Sequence, residues 1–280
     1  MHPFDSDIGV TESSPHRFDA TISGRWNGLG SGPLGGYVLA VGVRAMEEEM
    51  THPDPLSVSA IFMRQTQEGE VQIATETMRH GSRLGNCEAR LHQHGRETLR
   101  ILATFTDLDK SQGRVLLLNE APPLTPPDDS LEPFPVGGAP ALEIAEHIEY
   151  RLPEPIGWYE GAPAGKSCVH FWMRFREPRM YDAPALALFA DAAAPIVFEL
   201  GETESKTLDM SLHLRSRPAE GWLACRVSTR HIARGFHEED FEIWDSRGML
   251  VAQSRQLAVL PRAVLPDGPA SEPDRSGLER

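Results

Sequence analysis

Two stretches of this chain repeat one pattern at a nearly constant spacing. Leu56-Ser57-Val58-Ser59-Ala60-Ile61-Phe62 aligns with Leu208-Asp209-Met210-Ser211-Leu212-His213-Leu214, Arg79-His80-Gly81 more loosely with Arg230-His231-Ile232, and the turn His94-Gly95 with Arg247-Gly248. The offset stays between 151 and 153 residues, which is what duplication of a single unit leaves behind. The 280 residues are enough for two such units, each with a substantial core.

The stretch 107–156 separates the two copies and carries Pro122, Pro123, Pro126, Pro127, Pro133, Pro135, Pro140, Pro153 and Pro155. Proline at that density removes helix and ladder hydrogen bonds, so this segment reads as a connector laid over the surface, interrupted by one short helix around 141–149. Before it, Gly35-Gly36-Tyr37 opens an apolar helix through about Met46, followed by strand-like runs near 56–64, 71–79, 86–93 and 97–106. After it, an apolar helix from about Pro184 to Leu200 precedes strand-like runs near 207–216, 221–230, 237–244 and 249–260. Each unit thus reads as a helix followed by several antiparallel strands. The helix needs a surface to bury itself against and the sheet needs its apolar face covered. A curved sheet wrapped around a central helix meets both needs, and two such units can join edge to edge.

The boundaries expected are an N-terminal unit over 1–106, the connector over 107–156, a C-terminal unit over 157–261 and a flexible tail over 262–280, where Pro266, Gly268, Pro269 and Pro273 accumulate. Phe4 and Phe18 are expected to tuck against the sheet.

The formal net charge of −14 argues against a nucleic-acid binder, which carries a basic footprint. Cys87, Cys168 and Cys225 show neither metal nor redox spacing and read as buried thiols of a reducing compartment. Met1-His2-Pro3-Phe4-Asp5 offers neither a basic start nor an apolar run, and no window approaches a membrane span. A cytoplasmic protein is the expectation. The eleven histidines include no HExxH or paired Cys/His set, so no metal and no cofactor are expected.

One polar residue stands out. Asp191 is the only ionisable side chain in Ala183-Pro184-Ala185-Leu186-Ala187-Leu188-Phe189-Ala190-Asp191-Ala192-Ala193-Ala194-Pro195-Ile196-Val197-Phe198. It reads either as a cap for the turn that follows or as a base whose pKa is raised by apolar surroundings. Thr207 opens the next strand, and Gln256 lies in the last one. With these residues in this order, the chain resembles the bacterial acyl-CoA thioesterase II family from about Arg25 to Leu260, including Gly35-Gly36-Tyr37 and Phe62-Met63-Arg64. The resemblance implies an α+β tandem (double) hotdog fold, two antiparallel sheets each wrapped around a central helix. It also implies hydrolysis of acyl-CoA, with Asp191, Thr207 and Gln256 as the catalytic set, and a homo-oligomer by analogy.

Thioester hydrolysis needs a positioned water, a base and donors facing the developing oxyanion. Asp191 alone of the three can be the base, while Thr207 and Gln256 can orient the water. Gly35, Gly36 and Tyr37 open a helix whose N–H groups can serve the oxyanion, although a tight turn explains the glycines equally well. Gln253 lies three positions before Gln256 and points to the other face of an ideal strand; a one-residue bulge would exchange their roles. The first half, with no carboxylate between Leu34 and Ala45, reads as catalytically silent, and Gln93 as a solvent-facing strand residue. Arg79, Arg83, Arg230 and Arg234 sit at equivalent strand ends, without a signal that any of them meets CoA. A hotdog hydratase is disfavoured, since no Asp has a His five residues on. The competing reading is a non-catalytic acyl-CoA- or acyl-chain-binding protein of the same fold.

Overall fold

The computed structural model describes residues 1–29, 32–136 and 142–260. The tail over 262–280 and the start of the short helix expected at 141 lie outside them. The first half comprises α1 (Pro3–Asp7), β1 (Thr11–Ser14), β2 (Arg17–Ile22), α2 (Gly35–Glu49), β3 (Asp54–Phe62), β4 (Gly69–His80), β5 (Gly85–Gln93) and β6 (Arg96–Thr106). The second comprises β7 (Ile148–Arg151), β8 (Cys168–Phe175), α3 (Ala183–Phe189), β9 (Lys206–Leu214), β10 (Leu223–Ser228), β11 (Ile232–Ala233), β12 (Phe236–Trp244) and β13 (Leu250–Val259).

The strands form one continuous antiparallel sheet in the order β1-β2-β4-β5-β6-β3-β9-β13-β12-β10-β8-β7, with β11 paired to β12 off this path. Outward from the β3–β9 seam, the two halves run through corresponding strands in the same sequence. At the seam Ser59 pairs with Ser211, Ser57 with His213 and Ile61 with Asp209. Ser59 and Ser211 are themselves equivalent in the repeat, so a local pseudo-two-fold axis passes between them. The two expected sheets are therefore merged edge to edge into one.

Strict alternation builds the strands: β5 reads buried at every second position, and Val58, Ala60, Met210 and Leu212 at the seam all point inward. Against this face lies α2, with Tyr37, Leu39, Val41, Val43 and Met46 buried, each such side chain contributing on the order of 2 kcal/mol of transfer free energy. The helices α2 and α3 also pack on one another across the seam.

Several boundaries differ from the sequence expectation. The second helix was expected to run to Leu200, but α3 stops at Phe189 and a separate 3-10 turn covers Ile196–Leu200. Pro195 is the cause: it has no N–H for the carbonyl four residues earlier, that of Asp191, and it drives Ala194 out of helical conformation. The strands β7 and β8 precede the second helix, just as β1 and β2 precede the first. Since β7 falls within 107–156, the second unit begins inside the expected connector. That connector holds a 3-10 turn at Glu143–Glu146. The N-terminal segment is central: Phe4 is fully buried, its ring centroid 5.2 Å from that of Trp26 and 5.4 Å from that of Phe175, so it bridges the halves. Gln93 does not face solvent. It is buried, accepts from Gln67 N at 2.9 Å and donates to the Gln67 carbonyl. Cys168 is exposed, while Cys87 and Cys225 are buried.

Candidate active site

The unwinding at Pro195 sets Asp191 in a turn rather than on a helix face. Three side chains hold that turn from different directions. Ser254 Oγ donates to the Ala190 carbonyl at 3.3 Å, Tyr150 Oη to the Ala192 carbonyl at 2.7 Å, and Ile196 N donates to Glu239 Oε2 at 2.8 Å. The Asp191 carboxylate then reaches across to the other half, where its Oδ2 accepts from Gly36 N at 2.6 Å.

This contact satisfies a need of α2. Leu34, at the N-cap of α2, has no side chain that can accept from the first turn, and the partial positive charge there favours an anion. Asp191 is therefore a cap, as one of its two sequence readings allowed, but of the helix in the opposite half. Gly36 makes the approach possible. A Cβ there would lie 2.5 Å from Asp191 Cβ and 2.6 Å from the Ala187 carbonyl oxygen, closer than packed atoms come.

The remaining partners line up behind the carboxylate. Gln256 Nε2 donates to Asp191 Oδ1 at 3.0 Å, and Thr207 Oγ1 donates to Gln256 Oε1 at 2.6 Å. The structure thus brings Asp191, Thr207 and Gln256 into one chain of hydrogen bonds. It also settles the choice between the glutamines: Gln256 is buried on the inner face, while Gln253 binds Arg215 through its carbonyl oxygen on the other. Burial pushes the Asp191 carboxyl up from 3.8 to about 6, against the lowering pull of Gly36 N–H and the Gln256 amide.

A cavity of about 860 Å³ opens beside this chain, with Asp191, Thr207 and Gly35 in its wall. Gln256 is not part of that wall; it stands behind Asp191 and orients it. The rest of the surface is largely apolar and aromatic, with Phe62, Phe134, Tyr150, Trp158, Phe171 and Phe198, as small-molecule sites commonly are. Phe134 comes from the expected surface connector, which here forms part of the wall.

The glycine-tyrosine motif divides in three. Gly35 lines the cavity, and a Cβ there would sit 2.9 Å from the Phe62 ring. Gly36 has committed its N–H to Asp191 and so does not offer it to an oxyanion while that bond holds. Tyr37 is not at the cavity. Its hydroxyl donates to the Asp7 carbonyl at 2.8 Å and accepts from Ser23 N at 3.1 Å, which fastens the N-terminal segment to α2.

Sequence reasoning missed Glu239. It is buried, stands opposite Gln256 in the β12–β13 register, and holds the Asp191 turn through Ile196 N. Burial pushes its carboxyl up to about 8, and the nearby Asp191 charge adds to the rise. The signal was present: Glu239 alternates in phase with the inward-facing Phe241 and Ile243. Among the described residues, no group of three or more His, Cys, Asp or Glu is placed to hold a metal, and no helix is long and apolar enough to cross a membrane.

Comparison with known proteins matches residues 22–106 to the N-terminal domain of acyl-CoA thioesterases and residues 120–260 to their C-terminal domain. The uncharacterized protein Rv0499 of Mycobacterium tuberculosis is 25% identical, over 93% of this chain and 96% of its own. Among solved structures, a Thermobifida fusca protein provisionally designated a thioesterase II superposes with a TM-score of 0.83 at 25% identity, covering 94% of this chain and 98% of that one. A conserved Alicyclobacillus acidocaldarius protein of unknown function with a hot dog fold gives 0.79 at 21% identity, covering 96% and 100%.

Proposed function

The chain belongs to the acyl-CoA thioesterase family and is a thioester hydrolase, and from that premise we propose that it cleaves acyl-CoA to a free acid and CoA with water activated by Asp191. The observation that supports this most is the placement of one half-buried carboxylate, with a pKa raised to about 6, in the wall of a largely apolar cavity. Above that pH it is ionised and can accept a proton from water; a carboxylate with an ordinary pKa would be a weaker base. We read the architecture as two hotdog units in tandem, with one working site per chain and a first half that supplies the helix N-terminus.

In this scheme the water sits in the cavity between Asp191 and Thr207. Thr207 donates its hydrogen bond to Gln256 Oε1, which leaves its lone pairs to accept from the water, and Gln256 fixes the Asp191 rotamer. The thioester carbonyl lies against the first turn of α2 at Gly35, where the missing Cβ admits it and the helix dipole favours developing negative charge. Attack gives a tetrahedral intermediate; its collapse expels CoA as thiolate and Asp191 returns its proton.

Free-thiol release from acyl-CoAs of graded chain length, with wild type beside Asp191→Asn, tests the scheme. Loss of a hundredfold or more in the variant is expected for a general base. Turnover that survives the substitution would discard Asp191 as the base, and a wild type that binds acyl-CoA without releasing thiol would discard hydrolysis.

A further inference from the structure

We propose that Arg64 and Lys206, in the wall of the Asp191 cavity, form a phosphate clamp for the nucleotide end of CoA, an inference that rests on this cavity taking acyl-CoA. The substrate carries several phosphate charges, and a protein of net charge −14 repels them unless cations are concentrated where they dock. Most basic side chains are unavailable. Arg151 and Arg174 are tied to Glu149, Arg217 to Asp54 and Asp109, Arg247 to Asp245, Arg255 to Asp240, and Lys166 to Glu154.

Arg64 and Lys206 differ from these. They are the cations in the cavity wall among the described residues, and, unlike the arginines and lysine just named, neither stands within ion-pair distance of a carboxylate among those residues. Arg64 Nη1 donates to the Glu97 carbonyl at 2.9 Å, a bond that aims the guanidinium without neutralising it. A planar guanidinium and a compact ammonium lining one cavity suit the bidentate and point-charge contacts that phosphate accepts.

Their placement follows from the seam. The β3–β9 register ends at the pair Ile61–Asp209, and Arg64 and Lys206 each lie three residues beyond it, at the same end of the seam. One cation therefore comes from each half, and Lys206 directly precedes Thr207. Elsewhere in the wall Phe134, Tyr150 and Phe171 form a contiguous aromatic stretch that suits an acyl chain. Thus the substrate's polarity matches the cavity's: acyl group inward, thioester at Asp191, phosphates between the two cations. Besides Asp191, two carboxylates share the wall. Glu199 is occupied by the N–H groups of Trp158 and Ala164, and Glu204 stands two residues before Lys206. Arg79, Arg83, Arg230 and Arg234, the strand-end arginines, are not in this wall.

The test compares an acyl-CoA with the same acyl group on pantetheine, which carries no phosphate. Wild type should prefer the CoA ester through KM, and the preference should weaken as ionic strength rises. In the double variant Arg64→Gln/Lys206→Gln that preference should shrink at least tenfold. The control Arg79→Gln/Arg230→Gln, outside the cavity, should keep it. A double variant with the wild-type preference, or a control that loses it equally, overturns the clamp. If wild type releases thiol from neither ester, the hydrolytic reading fails by itself. The clamp is then judged by calorimetric binding of CoA against pantetheine, where the same loss in the double variant is required.

Discussion

Asp191→Asn should make the protein more stable while it abolishes turnover, and the gain should depend on pH in a defined way. Burial raises the Asp191 pKa from 3.8 to about 6, so the folded state favours the protonated acid. A group of this kind stabilises the fold fully below its unfolded pKa, and that contribution is lost as pH rises through the folded value. The difference, about 6 less 3.8, at 1.36 kcal/mol per pH unit, sets the loss at about 3 kcal/mol above pH 6. The substituted amide does not titrate. It can still accept from Gly36 N, and its NH₂ can face Gln256 Oε1 once the Gln256 amide turns over and Thr207 accepts in place of donating.

Urea unfolding of wild type and variant near pH 4 and near pH 8 measures this. The variant should gain up to about 3 kcal/mol at the higher pH, and most of that gain should vanish at the lower one. The acid limb of wild-type kcat/KM should fall about tenfold per pH unit below roughly pH 6, because that profile reports the free enzyme's base. A stability difference that is equal at both pH values, or a variant weaker than wild type near pH 8, would refute the claim that Asp191 is a desolvated carboxylate.

Three further substitutions probe the surroundings. Thr207→Val keeps the volume but removes the donor to Gln256 Oε1; kcat should drop on the order of tenfold with little change in KM, as expected for a bond of about 1 kcal/mol that positions the base. Glu239→Gln keeps an acceptor for Ile196 N, whereas Glu239→Leu leaves that buried N–H unpaired; unfolding should show the leucine variant about 1–3 kcal/mol below the glutamine one. Gly36→Ala places a methyl group 2.5 Å from Asp191 Cβ; thermal melts should report a loss of about 1–3 kcal/mol, with turnover lost as Asp191 is displaced.

Much of this was legible because period-two burial writes strands directly into sequence. The runs that became β4, β5, β6, β9 and β12 show it, and Asp191 drew attention as a lone charge among alanines. What escaped was non-local. Asp191 and Gly36 are 155 residues apart in sequence, and no spacing rule announces a side chain that caps a helix of the other half. β7 is four residues long and sits among prolines and glycines, so its pattern is too short to register. Gln93 looked like an ordinary strand glutamine because its partners, Gln67 in the loop before β4 and Glu70 at the start of that strand, are brought to it only by the fold. The length of the second helix was misjudged because alanine and leucine propensity outweighed the effect of Pro195 upstream of itself.

The duplication raises the question of why one site would form where the pseudo-two-fold axis offers two places for it, and helix capping supplies a physical answer. A second site would need a first-half carboxylate delivered to the N-terminus of α3. That terminus is already closed: Asp182 caps it in cis, its Oδ1 accepting from Ala185 N at 2.9 Å. The N-terminus of α2 has Leu34 where a cap belongs, so its N–H groups stay open to a carboxylate from across the seam. The donor side is asymmetric as well. α2 continues as regular helix for fifteen residues, whereas α3 ends after seven and turns at Pro195 to release Asp191. One half has kept an uncapped helix and the other a carboxylate free to reach it, so each needs the other and neither half alone holds the site. Supplying the missing cap tests this reasoning: Leu34→Ser should compete with Asp191 for the first turn of α2 and lower kcat several-fold with little loss of stability, since a Ser cap stabilises by about 1 kcal/mol. An unchanged kcat would mean that the open terminus is not what holds the base in place.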